Sequence, residues 1–484
     1  MAGEHFDVVV VGGGGAGLAA AIEAAEAGAS VLLLEKNAQL GGSTAWSIGS
    51  VTATQTAHQR RRGIVDSPAE HWADMPGFAG ELQPRDNDAL RRVLCDEMPA
   101  TFQWLLDSGV RFYGPMPEPP HRQPRMHNVL PNSRAFIYHL ARRARRAGVE
   151  IRLGAPVASL RVDGGRVVGV ELSGGAAIDA RGAVILAAGD FTNGAVHKAR
   201  YMGAQQAKVE GVNLTATGDG QAMAELLGAQ VINGDLALGP EIRFIAPVQE
   251  TWVRRLPPWR ALASAMQWSL EHLPMALLRP FMMKFLTTAL APSVALFDDG
   301  ARLVNARGER FGDERDQPAL RLPDQPGKQG WILINGAIAR RYGAWPHFIS
   351  TAPGIAYAYL DDYRRNRPDV YTQAPTLAAL AQRLGMDPAA LARSAAAGDG
   401  GDALTEAPFI ALGPVRSVFV HSEGGLRVDI EHRVLGSDDQ PIPGLLAAGA
   451  TGQGGLLLKG HGHHLAWAFA SGRRAGQRAA AGRG

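Results

Sequence analysis

The chain opens on a short apolar run, FDVVVV, that ends at Val11; its β-branched residues predict a buried parallel strand. Six small residues follow, Gly12 to Gly17, and then LAAAIEAAEAGA, which is built from strong helix formers. A second apolar run, SVLLLEK, predicts another strand ending on Glu35. Residues 134–148, RAFIYHLARRARRAG, have the spacing of an amphipathic helix. The stretch after it, VEIRLGAPVASLRVDGGRVVGVEL, alternates apolar and polar positions around the turn signal DGG and predicts a β-meander. AVILAAGDF, residues 183–191, is one more buried strand that ends in small residues. TLAALAQRLGMDPAALARSAA, residues 376–396, predicts two short helices, the second capped by Asp387.

Chemistry enters at the glycines. Gly12, Gly14 and Gly17 satisfy G-x-G-x-x-G between a predicted strand and a predicted helix. In that setting small residues permit a tight turn, a close approach to a pyrophosphate and close packing of helix on strand. The helix start at Gly15 and Ala16 offers free N–H groups to phosphate. Glu35 follows at about the 20-residue distance from which a carboxylate reaches an adenosine ribose. The unit predicts dinucleotide binding and leaves FAD and NAD both open.

Composition narrows the class without naming the reaction. At 484 residues, two domains are expected, and 46% hydrophobic with 20% charged content is globular. A net charge of +3 gives no footprint for nucleic acid. Cys95 is the single cysteine, which excludes an internal disulfide and a cysteine-held cluster. Neither a secretory leader nor an apolar stretch long enough to span a bilayer is seen, so a cytoplasmic enzyme is expected.

The segment LGGSTAWSIGS, residues 40–50, separates FAD from NAD. It resembles the fumarate reductase/succinate dehydrogenase flavoprotein superfamily, which includes the 3-ketosteroid dehydrogenases. There a GGS/T segment wraps the FAD diphosphate, matched here by Gly41, Gly42, Ser43 and Thr44. Covalent members carry a histidine in this segment; none stands between His5 and His58, so the resemblance implies non-covalent FAD. It also implies cofactor contacts from Lys36, Val157, Ala188, Gly189 and Asp219, the last in a TGDG helix start. The C-terminal stretch from GGLRVDIEHRVLG onward resembles the part that returns to close the site, with Gly449, Gly462, His464 and Leu465 at the flavin. The expected architecture is α/β. A Rossmann-like FAD domain, with a mixed sheet and a β-meander, comprises 1–230 and 415–484, and an α+β capping domain is inserted at 231–414.

For catalysis the resemblance supplies Arg315, in NARGERFGDERD, as nearest equivalent of the family arginine, and His421, in HSEGG, as substrate histidine. Lys459 stands where the family has a second arginine, keeping charge and losing the bidentate grip. Tyr113 is the nearest tyrosine for a ketosteroid-type base or donor, and His461 joins the candidates beside the last helix. The proline-rich segment 112–134, with His121, Arg122, Arg125 and His127, reads as a surface loop stiffened by prolines or, as the resemblance implies, as a substrate loop that places Arg125 and His127 over the flavin. The three histidines of KGHGHHLAWAF do not have the spacing to aim three rings at one ion, so no metal is expected, and His461 or His463 is expected to face the substrate.

Residues 252–292 stand apart. They are rich in tryptophan, methionine and basic residues with Glu271 as sole acid, and prolines break them into short helices. Such a stretch suits a buried part of the cap, a peripheral contact with the inner face of a membrane, or the mouth of an apolar site. The leading expectation is an FAD-dependent oxidoreductase of CH–CH bonds next to a carbonyl, exchanging hydride with flavin N5 and acting on an apolar steroid- or terpenoid-like ketone. Reduction of a small unsaturated carboxylate, as in fumarate reductases, is the alternative within the class. A non-catalytic flavin electron carrier is the alternative outside it. The electron partner is not legible, and a single G-x-G-x-x-G offers no second nucleotide site.

Overall fold

The computed structural model describes residues 4–247, 255–288, 290–352, 356–396 and 403–482. Its larger sheet has at its centre the strand Glu4–Val11, flanked in parallel by Val31–Glu35 and Ala177–Leu186. Glu150–Leu153 and Pro441–Ala447 extend the parallel run on its two sides. Val8, Val9 and Val10 are wholly buried in this sheet, as an apolar run without alternation requires. The meander is present: Val157–Asp163 and Arg166–Leu172 pair antiparallel, and the second pairs antiparallel with Ala177–Leu186.

The two helices that matter for the site lie against each other. Gly15–Glu26 packs along the final helix His463–Ala481. The contact is close because Gly472 and Gly476 face backbone; a Cβ on either would lie 2.3 or 2.2 Å from the carbonyl oxygens of Ala16 and Ala20. The chain's last helix is thereby held against its first, and residues far apart in sequence share one site.

A second sheet is organised around the long strand Phe409–Phe419, which pairs with Glu241–Phe244, Gly330–Ile334 and Tyr371–Ala374. It has its own apolar core, made of residues between Ile242 and Val415, separate from the core beneath the larger sheet. The helices Leu377–Leu384 and Pro388–Ala395 flank it, and Asp387 caps the second by accepting from the Ala389 and Ala390 N–H groups.

Candidate active site

The glycine loop forms the floor of a cleft that runs between the two sheets. Gly12 has φ of +110°, and a Cβ there would lie 2.4 Å from the Ala187 carbonyl oxygen. A Cβ on Gly17 would lie 1.9 Å from the Gly12 carbonyl oxygen, so Gly17 sits under the loop and sets how closely the helix meets the strand. Gly14 and Gly189, by contrast, face open space: a Cβ on Gly14 would meet nothing nearer than 3.8 Å, and one on Gly189 nothing within 4 Å. The first turn of Gly15–Glu26 carries no acidic residue and its N-cap is Gly14, without a side chain, so beyond the Gly15 N–H its N-terminus is available to an anion.

Side chains complete the cradle. Glu35 is buried, with one carboxylate oxygen accepting from Gly13 N at 2.7 Å and the other from Asn37 N at 2.8 Å. Thr44 accepts from Gly15 N at 3.1 Å, tying the GGST segment to the loop, and Ser43 accepts from the Asn213 amide at 3.0 Å. Lys36 and Asp219 form an ion pair at 2.8 Å on the wall. The opposite wall comes from the chain's end. Gly449, at φ +61°, donates its N–H to Ser471 Oγ at 2.8 Å and accepts from Trp467 Nε1 at 3.1 Å. The final helix thus fixes both polar groups of that glycine, and Ala448, Gly449 and Ala450 present backbone to the cleft. Bare backbone on the floor, an anion-ready helix start and a buried carboxylate at the second strand fit a dinucleotide.

A family model described as FAD binding domain matches residues 7–241 and 272–457. The chain belongs to that family. FAD is its cofactor, and the absence of histidine from the GGST segment agrees with non-covalent binding. Relatives include fumarate reductases and a 3-oxosteroid dehydrogenase. The chain is 26% identical over 474 residues to the NADH:fumarate oxidoreductase of Klebsiella pneumoniae, covering 92% of this chain but only 44% of that protein's length. It is also 26% identical over 569 residues to the 3-oxosteroid 1-dehydrogenase of Mycolicibacterium smegmatis, covering 93% of this chain and 92% of that one. The open conformation of a flavocytochrome c3 fumarate reductase shares the fold, with a TM-score of 0.72 at 24% identity over 99% of this chain and 79% of that one.

Most of the residues expected on the flavin line this cleft, including Ala16, Gly42, Val157, Ala188, His464 and Leu465. Gly41 acts one layer back, donating its N–H to the Gly13 carbonyl, and Gly462 supplies the left-handed start of the final helix. At the rim the structure assembles a polar group that spacing did not reveal. Glu423 is fully buried; one oxygen accepts from Gln453 Nε2 at 2.6 Å and Leu458 N at 3.0 Å. The other faces His464 Nε2 at 3.6 Å, Lys459 Nζ at 3.7 Å and His421 Nε2 at 3.8 Å. Burial alone would raise the Glu423 carboxyl, but the charge of His464 close by, with His421 and the Leu458 N–H adding to it, outweighs burial and holds the group far below the usual range. Burial, with the charge of His464 beside it, keeps His421 well below the usual imidazole range and so neutral. Asp190, also on the cleft, is pushed up by burial while it accepts from Thr192 and Ser422.

The other catalytic candidates do not converge here. Arg315 is exposed on the cap and paired with Asp313. Tyr113 lies on the strand Arg111–Met116 and lines a separate hollow with His58 and Glu271. The three C-terminal histidines go three ways. His461 bonds Glu118, His463 is buried against His71 and His121, and it is His464 that lines the cleft. The ring expected to face the substrate is thus the one after the expected pair, because His463 falls on the buried side of the helix. His71, His121 and His463 do bring their ring nitrogens within 4.8 Å of one another, as do His421, Glu423 and His464, through partners from distant segments.

Arg125 and His127 correct the expectation of a substrate loop. Arg125 is completely buried, with two contacts to Asp66 at 2.8 and 2.7 Å and one to Asp74. His127 is buried against Phe102, its Nε2 3.1 Å from Thr56 Oγ1. Neither side chain can reach a ligand; the ion pairs hold 66–74 and 121–127 together. Arg125→Ala leaves two buried carboxylates without their cation and is expected to cost about 3–5 kcal/mol, read as a lower urea midpoint, with FAD content unchanged in the folded fraction.

Proposed function

We propose that the cleft dehydrogenates or reduces a C–C bond next to a carbonyl in a substrate with an apolar body. The observation that supports this most is the makeup of the rim. A single polar group, His421, His464 and Lys459 around Glu423, stands between apolar surfaces. Trp46, on the cleft, is 51% exposed, and Leu238, paired in register with His421, is 43% exposed. One polar group suits one carbonyl oxygen, whereas a dicarboxylate calls for a second cationic grip. Arg315, the residue expected to supply it, lies on the cap surface in a pair with Asp313.

FAD, when bound, supplies the two-electron chemistry by taking or giving a hydride. The chain's own part is to hold the carbonyl and handle a proton. Lys459 and neutral His421 are the donors assigned to the oxygen, where they stabilise charge that develops as the adjacent carbon loses or gains a proton. His464 is the group assigned to that proton, and Glu423 positions all three. The relative named as a 3-oxosteroid 1-dehydrogenase, aligned over 92% of its own length, supports a steroid-like substrate. The relative named as a fumarate oxidoreductase supports the alternative, a small unsaturated carboxylate held by Lys459 and His421.

The test is anaerobic. Holoprotein is reduced with dithionite, and return of the oxidised flavin band is followed after adding a 4-en-3-one steroid or fumarate. Recovery with the enone and none with fumarate is expected. Recovery with fumarate alone moves the assignment to the carboxylate, and recovery with neither, together with no bleaching by saturated ketones, leaves an electron carrier.

A further inference from the structure

Two helices of the insert lie outside what the flavin cleft uses. Arg260–His272 and Met275–Leu286 follow each other across Leu273 and Pro274, and the first falls almost wholly in the gap between the two matched parts of the family model. Of the insert as read from sequence, residues 252–254 and 289 lie outside the described residues. The first helix rests on the strands Arg111–Met116 and Met126–Leu130, and the second is anchored to the cap by Arg279, bidentate to Asp362 at 2.7 and 2.6 Å. Inward contacts are therefore made, yet large apolar side chains remain outside. Trp259 is 62%, Trp268 56%, Leu277 61% and Phe281 55% exposed. Leu277, Phe281 and Lys284 follow each other at helical spacing, so the second helix presents one apolar stripe that ends in a cation.

The start of the first helix is basic. Beside Trp259, a hollow of about 630 Å³ is lined by Arg142, Arg143, Arg146 and Arg260, with Asp107 as the carboxylate in its lining. Arg143 is neutralised by Glu26. Among the described residues no carboxylate lies within 4.0 Å of the guanidinium groups of Arg142, Arg146 or Arg260. At the far end of the first helix Arg61 and Arg62 flank Leu270 in a hollow that Glu271 also lines, and they donate to the backbone carbonyls of Ala57 and Pro115. Unpaired guanidinium groups facing one hollow match the oxygens of a phosphate monoanion or diester. Tryptophan, phenylalanine and leucine on an exposed helix, edged by arginine and lysine, match the boundary between headgroups and acyl chains.

We propose that these two helices seat the protein on an anionic lipid bilayer, with lipid phosphate held in the hollow by Arg142, Arg146 and Arg260 and with Trp268, Leu277 and Phe281 in the acyl boundary. At 13 and 12 residues the helices are too short to span, and no helix among the described residues is long and apolar enough to cross a membrane. They lie in the plane of the interface. Charge decides the occupant: a neutral protein surface could cover the apolar stripe but would leave the arginine hollow unmatched.

The experiment floats the FAD-loaded protein with vesicles of phosphatidylcholine alone, or with phosphatidylglycerol as about a third of the lipid. Binding to the anionic vesicles at least about tenfold tighter than to the neutral ones, and weakened by salt, is expected. The pair Trp268→Ser and Phe281→Ser, and separately Arg142→Glu with Arg146→Glu, should each abolish flotation while FAD content and solution turnover stay as in the parent. Three outcomes overturn the proposal: no flotation with either vesicle, variants that float as well as the parent, or titration of the hollow by inorganic phosphate without any flotation. Self-association removed by the same apolar substitutions, with no vesicle binding, would assign the stripe to a second copy instead and also overturns it.

Discussion

Glu423→Gln should lower flavin turnover by about two orders of magnitude or more while the protein stays folded and loaded with FAD. The substitution keeps the side chain's shape, so the Leu458 N–H and the Gln453 amide, at 3.0 and 2.6 Å, still face a polar group at that position. What is removed is the negative charge that faces His464, Lys459 and His421 within 3.8 Å. Without it the ammonium of Lys459 and the imidazole of His464 lose the carboxylate that holds them in place. Loss of the groups that hold a developing oxyanion is worth about 3–4 kcal/mol, which is the expected fall in rate. The rate of enone reoxidation reads it, alongside flavin absorbance and the thermal midpoint. A fall in kcat with little change in KM is expected, because the interaction acts on charge that appears during reaction. A variant within about threefold of the parent would remove Glu423 from the machinery.

The second large effect is on stability in mild acid. Five histidines, His71, His121, His127, His432 and His463, are at most 7% exposed. Burial pushes their imidazoles down, to about 3 for His127 and His432, about 2 for His121, and well below 6.5 for His71 and His463. In the unfolded chain each takes up a proton as pH falls through about 6.5, while the folded state refuses it until its own lower value is reached. The folded state is therefore most favoured above pH 6.5 and loses ground below it. Each group costs about 1.4 kcal/mol per pH unit in that window, so together they remove several kcal/mol between pH 7.5 and 5.5. That is a large part of the stability of an ordinary domain. A fall of about 10 °C or more in the melting midpoint is expected across those two units. His432→Asn, which suits the left-handed backbone at φ +61° and removes one titrating ring, should flatten the slope by about one proton. A flat profile from pH 7.5 to 5.5 would show that these rings are protonated or hydrated in the folded state.

Much of the cofactor site was legible in the sequence because its determinants are local. A strand, three spaced glycines, a helix and a carboxylate within 35 residues carry their own geometry: Gly12 must turn, Gly17 must pass a carbonyl, and Glu35 lies where the second strand ends. GGST follows close behind and reaches the same loop through Thr44. The meander and the Asp387-capped helix are likewise set by short-range pattern.

The buried carboxylate at the rim was not legible in that way, because no local rule places it. The resemblance singles out His421, Lys459 and His464. Glu423 stands between the histidine and the glycine pair of HSEGG with no role assigned, yet it becomes the buried charge around which two segments assemble. Arg125 has the look of a substrate cation in a polar, proline-rich loop, and only its burial between Asp66 and Asp74 reveals a structural role. Residues 461–464 contain three rings: His461, ahead of the left-handed Gly462, goes to Glu118, while the turn of the helix sends His463 inward to His71 and His121 and His464 to the cleft. The sequence by itself determined that this chain binds a dinucleotide, because glycine spacing and strand ends act within a few turns of chain. Which charged groups meet beside the flavin, and which are spent on holding the fold, was decided by the packing of the last helix on the first. That contact joins residues more than 400 positions apart, and no pattern along the chain encodes such a distance.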